Sequence, residues 1–285
     1  WFLATSSNFT CFSSAAMDTL GLPYKFSLCV ASFLVFETTY NVAKQRVFNN
    51  SHLATEAFSG LFHAVIAASF ASYTLFIYDP LSNPASYQHY VSPYPYSSTS
   101  FSVSYGFFLW HFYMYVFCNY CQRKAMKWAL IIHAVLCLWT YSIVLFGESL
   151  HRPAMIALFY ESSTVLLNLT DMLRFFEFHQ IKRVIQFIFA AAFFYCRLYI
   201  GSMLLVEMYA VLLTGSIPVD NIQHIPRFSV LSAVCLISLF WILNVHWMWV
   251  IVRKMLLLIA DAVRSPKPAS KRETPIPFPL QAKEA

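Results

Sequence analysis

Long apolar runs, separated by short polar segments, set the pattern of the chain. A helix rises about 1.5 Å per residue, so a hydrocarbon layer of roughly 30 Å takes about 20 predominantly apolar residues to cross. Seven stretches reach or approach that length: Leu20–Tyr40, Leu53–Tyr78, Phe101–Cys121, Met126–Phe146, Pro153–Leu173, Val184–Leu213 and Phe228–Ala260. The last two exceed the requirement, and each is expected to tilt, break or run past the membrane. Asp79–Ser100 reads as a loop instead. It holds prolines 80, 84, 93 and 95 and tyrosines 87, 90, 94 and 96, with no Lys or Arg. Tyrosines of this kind suit the headgroup zone. The segment after Val263 is Pro-rich and charged, and is expected to be disordered alone or laid along a partner. No internal repeat and no second folded unit is visible. The pattern divides the chain into an N-terminal segment 1–19, a peripheral first span with its loop 20–52, the main transmembrane domain 53–260 and a Pro-rich basic tail 261–285. The fold class is an all-α, polytopic transmembrane bundle of about seven spans.

Composition excludes a water-soluble fold. Hydrophobic residues make up 59% of the chain and charged residues 11%, against about 25% charged in soluble domains. Too little polar surface remains to cover the apolar side chains in water. The net charge of +6 is distributed in a way that excludes a nucleic-acid groove. Fifteen of the 19 basic residues fall in alternate loops and the C-terminal end: Lys44 and Arg46; Arg123, Lys124 and Lys127; Arg174, Lys182 and Arg183; then Arg253, Lys254, Arg264, Lys267, Lys271, Arg272 and Lys283. Lys25, Arg152 and Arg227 sit on the other side, and Arg197 lies within a span. Only an odd number of crossings gives this alternation. By the positive-inside rule, the tail faces the cytosol or matrix and the N-terminus faces away. The seven cysteines (11, 29, 118, 121, 137, 196, 235) show no disulfide framework. The chain opens on Trp1 without a recognisable leader, and an upstream segment is expected. Endoplasmic reticulum and mitochondrial inner membrane both remain open. Asn8-Phe9-Thr10 is a glycosylation sequon of a kind that arises often by chance.

Ionisable groups at membrane depth change the picture, because they are costly there and usually face a bundle interior or a cavity. The chain places His63, His111, His133, Glu161, Asp171, Arg197, Glu207 and His246 at such depth. Arg197, in FFYCRLYIGS, cannot shed its proton and has to be paired or solvated. Three readings stand: a buried pair with Glu161, reception of a lipid carboxylate or phosphate, or a water-lined cavity. Glu161, Thr164, Asn168 and Asp171 follow i, i+3, i+7, i+10 and share one helix face, which therefore points inward. The four histidines lie on four spans, so no ligand spacing supports a metal. Cys118-Asn-Tyr-Cys121 is a lone pair of thiols. No cofactor is expected: serine-hydrolase elbow, phosphate loop and dinucleotide fingerprint are all missing.

Several of these segments resemble the TLC-domain family, which includes ceramide synthases and translocation-associated membrane proteins. They are SGLFHAVIAASF with His63, YGFFLWHFYMYVF with His111, LIIHAVLCLWTYSIVLF with His133, FYESSTVLLN with Glu161, Ser162, Ser163 and Asn168, the Arg197 span, and NVHWMW with Asn244 and Trp247. The resemblance covers about Leu53 to Ala260. It implies a six-helix barrel around a central cavity, with the first span outside. Ceramide synthases carry a His-His pair on the fourth of these spans and a His-Asp pair on the next. Here the matching residues are Ile132-His133 and Tyr160-Glu161, so acyl transfer to a sphingoid base is not expected. The resemblance implies a lipid cavity touched by His63, His111, His133, Glu161, Ser162, Asn168, Arg197 and Asn244. Three functions follow from it: lipid binding, sensing or distribution without chemistry; a structural subunit of a larger membrane assembly, an organellar one included; or a lipid acyltransferase using His133, the one catalytic candidate. The partners are membrane lipids, with other membrane subunits reached through the tail and the lipid-facing spans, and no nucleic acid.

Overall fold

A computed structural model describes residues 21–78, 90, 93–118, 128–214 and 227–264. The segment 1–19 with its sequon, most of the Asp79–Ser100 loop, the basic cluster 123–127, Cys121 and the tail beyond Arg264 lie outside the described residues.

The described chain is helical throughout. The helices are α1 (Leu22–Arg46), α2 (His52–Ser72, continued by a π turn Tyr73–Tyr78), α3 (Ser97–Tyr113, with a π turn Met114–Cys118), α4 (Trp128–Gly147), α5 (His151–Phe159), α6 (Glu161–Phe175), α7 (His179–Phe193), a π turn Phe194–Tyr199 leading into α8 (Ile200–Thr214), and α9 (Arg227–Arg264). Local chemistry sets several starts. Pro23 sits in the first turn of α1, where its missing N–H is no loss. The Ser51 hydroxyl accepts from the Ala54 amide to cap α2.

Among the described residues, five helices are long and apolar enough to cross a membrane: Leu22–Arg46, His52–Tyr78, Trp128–Gly147, His179–Thr214 and Phe228–Ala260. The third and fifth stretches expected from the sequence are also helical, but more polar, for a physical reason. They are inner helices. Ten of the seventeen residues of α3 are buried, including five serines. The fifth stretch is broken at Tyr160 into α5, eight of whose nine residues are buried, and α6. Helices facing other helices need no lipid-matched surface.

The principal packing partners close a ring: α3 on α4, α4 on α9, α9 on α7–α8, α7 on α6, α6 on α2, and α2 on α3. α1 packs outside this ring against α3 and α2. Inside it, α5 touches α2, α4 and α8. The outer faces present exposed Leu34, Phe62, Ile132, Trp139, Phe187, Val206 and Trp249, as lipid contact requires. The helix His179–Thr214 turns inward at its π turn, while α9 runs unbroken for 38 residues, about 57 Å.

Small residues set the closest crossings. A Cβ on Gly106 of α3 would fall 2.5 Å from the Cys29 carbonyl oxygen and 2.6 Å from Ser32 Cβ of α1. Ala57, Gly60, Ala64, Ala67 and Ala71 form a buried small-residue row on α2. Two cations assigned by charge pattern to the less basic side are paired. Buried Lys25 donates to Glu148 at 2.9 Å and to the Leu145 carbonyl at 3.1 Å. Buried Arg152 meets Glu207 at 3.2 Å, and the Tyr90 hydroxyl donates to the same carboxylate.

Candidate functional site

The centre of the site is a charge held between two interruptions in helical structure. Arg197 lies in the π turn between α7 and α8, where Cys196 and Arg197 both turn inward. Facing it is the break between α5 and α6. The Ser163 hydroxyl donates to the Tyr160 carbonyl at 2.9 Å, and the Ser163 amide to the same oxygen at 3.2 Å. Irregular backbone at membrane depth is tolerated where protein or a cavity satisfies it, and both conditions hold here.

Arg197 is 5% exposed and makes four hydrogen bonds. Its Nε donates to Ser163 Oγ at 3.0 Å, and Nη1 donates to Asn244 Oδ1 at 3.5 Å. Nη2 donates to Thr164 Oγ1 at 2.8 Å and to Glu161 Oε1 at 3.4 Å. The guanidinium also lies 5.4 Å from the Phe193 ring centre. Of the three readings the sequence left open, the pair with Glu161 is seen directly, and Arg197 also borders open space. The pair is neutral overall, and Glu161 stands in the first turn of α6, where a carboxylate suits the helix dipole.

Two cavities flank this pair. The larger is a narrow, partly open hollow between α4, α5, α8 and α9, and its wall is mostly Ile143, Val144, Leu150, Leu204, Leu236, Ile237 and Phe240, with Thr140, Tyr160, Arg197, Trp241 and Asn244 as its polar positions. The smaller, also partly open, is bounded by His133, Cys137, Tyr141, Glu161 and Arg197. Thr140, Ala157, Tyr160, Arg197 and Phe240 line both. An apolar hollow with a few polar groups at one place is the usual form of a ligand site.

Of the eight residues singled out in the sequence, His133, Glu161, Arg197 and Asn244 come together here. His63 and His111 sit elsewhere, His63 packed from α2 against α3 and His111 on α3 itself. His63 stacks on Phe107 at 3.9 Å and shares a hydrogen bond with Ser104 at 3.1 Å, while His111 stacks on Trp110. Phe108 stands between His63 and His133, touching both rings. Asn168 packs on α2, where its side chain fills the space a Cβ on Gly60 would need. Ser162 keeps a buried hydroxyl without a described partner. The inward face predicted for Glu161, Thr164, Asn168 and Asp171 therefore divides, its first half on Arg197 and Asn168 on α2. His246 is exposed on the outer surface, not interior as its depth suggested.

His133 is held by Cys137, whose Sγ lies 3.7 Å from Nε2, and by the rings of Phe108, Phe240 and Trp247. The described hydrogen bonds of Glu161 go to Arg197 instead. Among the described residues no group of three or more His, Cys, Asp or Glu could hold a metal ion. Sequence reasoning missed Thr140, Tyr160 and Trp241. The spacing His133, Cys137, Thr140 (i, i+4, i+7) marked an inward face of α4 and could have found the first.

Ring packing of α2–α9 around a hollow with a few polar groups defines a polytopic helical membrane protein. The TLC domain matches residues 54–253, most of this ring, and the chain belongs to that family. No curated protein matches the chain.

Proposed function

We propose that this protein binds a membrane lipid in its internal cavity and does no chemistry on it, acting in lipid binding, sensing or distribution. The observation that carries this is the partly open hollow with hydrocarbon walls and its polar groups gathered around Arg197 and Asn244. Membership of the TLC family, which is linked to lipid handling, supports the same reading. A general base needs a positioned acid or carboxylate. His133 has a thiol at hydrogen-bond distance instead, which weighs against the acyltransferase reading. The charge pattern supports a tail on the cytosolic or matrix side.

The test is the lipid that travels with the protein. Full-length protein purified in mild detergent should retain lipid detectable by native mass spectrometry. Ala157→Phe, which fills space common to both cavities, should fold and lose it. Wild-type protein free of bound lipid would remove this reading.

A second reading, a subunit of a larger membrane assembly, is favoured by α9. At about 57 Å it outreaches a hydrocarbon core of roughly 30 Å, and Leu256, Leu257 and Ile259 remain exposed near its end. A discrete large complex on native gels would support it.

A further inference from the structure

We infer that the cavity selects an uncharged lipid headgroup, and that the hydroxyl of Tyr160, not the guanidinium of Arg197, is the group that recognises it. This rests on the lipid-binding reading and names its ligand class. Three observations lead to it.

The charge is already spent within the protein. Arg197 makes four hydrogen bonds to Ser163, Thr164, Glu161 and Asn244, and its charge is matched by Glu161. A phosphate or carboxylate entering here would have to displace Glu161 and leave that buried carboxylate without its partner, a costly exchange. A ligand without charge disturbs nothing.

A polar group is left over. Tyr160 is 7% exposed and lines both cavities, and its hydroxyl has no hydrogen-bond partner among the described residues. A buried phenol normally finds a partner. Gly201 makes room for the phenol itself: a Cβ there would stand 3.2 Å from this hydroxyl and 3.7 Å from the ring carbon that bears it.

A second polar position complements it. The Thr140 hydroxyl donates to the Leu136 carbonyl at 2.9 Å, which leaves its lone pairs to accept. Tyr160 can therefore donate to a ligand ester, amide or hydroxyl oxygen while Thr140 accepts from a ligand hydroxyl. An acyl chain bearing a hydroxylated, uncharged head fits both.

Two probes with the same oleoyl chain decide the matter: monooleoylglycerol, uncharged, and oleoyl lysophosphatidate, anionic. Binding to the full chain in nanodiscs is read from the fluorescence of the protein, to which the cavity residue Trp241 contributes, and confirmed by native mass spectrometry. The account expects monooleoylglycerol to bind at least tenfold more tightly. Tyr160→Phe should weaken it about fivefold with the melting temperature unchanged, and Ala157→Phe should abolish it. Equal or tighter binding of lysophosphatidate, or a Tyr160→Phe protein that binds monooleoylglycerol normally, overturns the headgroup assignment while leaving lipid binding intact. Failure of both probes on wild-type protein removes the lipid-binding reading itself.

Discussion

Where α1, α2 and α3 meet, the molecule is packed until backbones touch; where α4, α5, α8 and α9 meet, it leaves a partly open hollow. The first region holds a buried histidine and the second a half-buried one, each beside buried polar groups. In the first, His63 is stacked flat on Phe107 and held by Ser104. In the second, His133 and Arg197 line a pocket together with Cys137, Thr140, Tyr141 and Phe240. The difference comes from residue size. Gly106, Ser32 and the alanine row of α2 allow close crossings, whereas Phe240, Trp241 and Leu204 hold their helices apart. An interior polar residue thus says little about function until the packing around it is known.

The largest effect that would sharpen this contrast comes from Arg197→Leu, which strands the Glu161 carboxylate. Breaking a buried pair by removing one partner costs about 3–5 kcal/mol. The single variant should aggregate or melt far earlier in detergent, and Arg197→Leu with Glu161→Leu should regain part of the loss. Defects that simply add in the double variant would mean the two residues do not act as a pair.

On the tightly packed side, Gly106→Ala forces its new methyl against the α1 backbone, where Phe33 N is also only 2.9 Å away. Overpacking of this kind costs roughly 1–3 kcal/mol. Gly60→Ala meets only the Asn168 side chain and should cost less, because a side chain can swing aside. Thermal unfolding that ranks the two variants the other way would break the proposed packing of α1 on α3.

The smallest effect lies at the surface. The Lys25 hydrogen bond, and then its charge, hold the Glu148 carboxyl below its usual range. A depressed carboxylate contributes stability above its unfolded pKa, and that contribution is lost as pH falls through the folded value. Since Glu148 is 71% exposed, screening keeps the effect under about 1 kcal/mol. Melting temperature should therefore dip slightly more steeply in wild type than in Glu148→Gln below about pH 4.5. Identical acid profiles would show that this pair contributes nothing.

Much of this architecture was legible in the chain, and the reasons differ by region. Apolar runs of about 20 residues identified the lipid-facing helices, because lipid contact dictates composition directly. Asn168 and His246 were misread because periodicity reports a face and depth reports a cost, while neither reports the neighbour. Asn168 serves the crossing at Gly60, and His246 sits on the outside. The charge of Arg197 announced a need for partners, but which of Glu161, Ser163, Thr164 and Asn244 would meet it depended on the break at Tyr160 and the π turn opposite. Neither carries a proline or glycine signal in FYESS or FFYCRLY. Tyr160 itself looked like one aromatic among 17 tyrosines. Only its place beside Gly201, facing a void, sets it apart.

The most direct test of the central claim is an experimental density map of the full chain in lipid nanodiscs. The account predicts elongated density between α4, α5, α8 and α9, ending beside Tyr160, with the Arg197–Glu161 pair intact. A cavity closed by contact of Leu204 with Phe240, or Arg197 turned outward to the acyl chains, would contradict it.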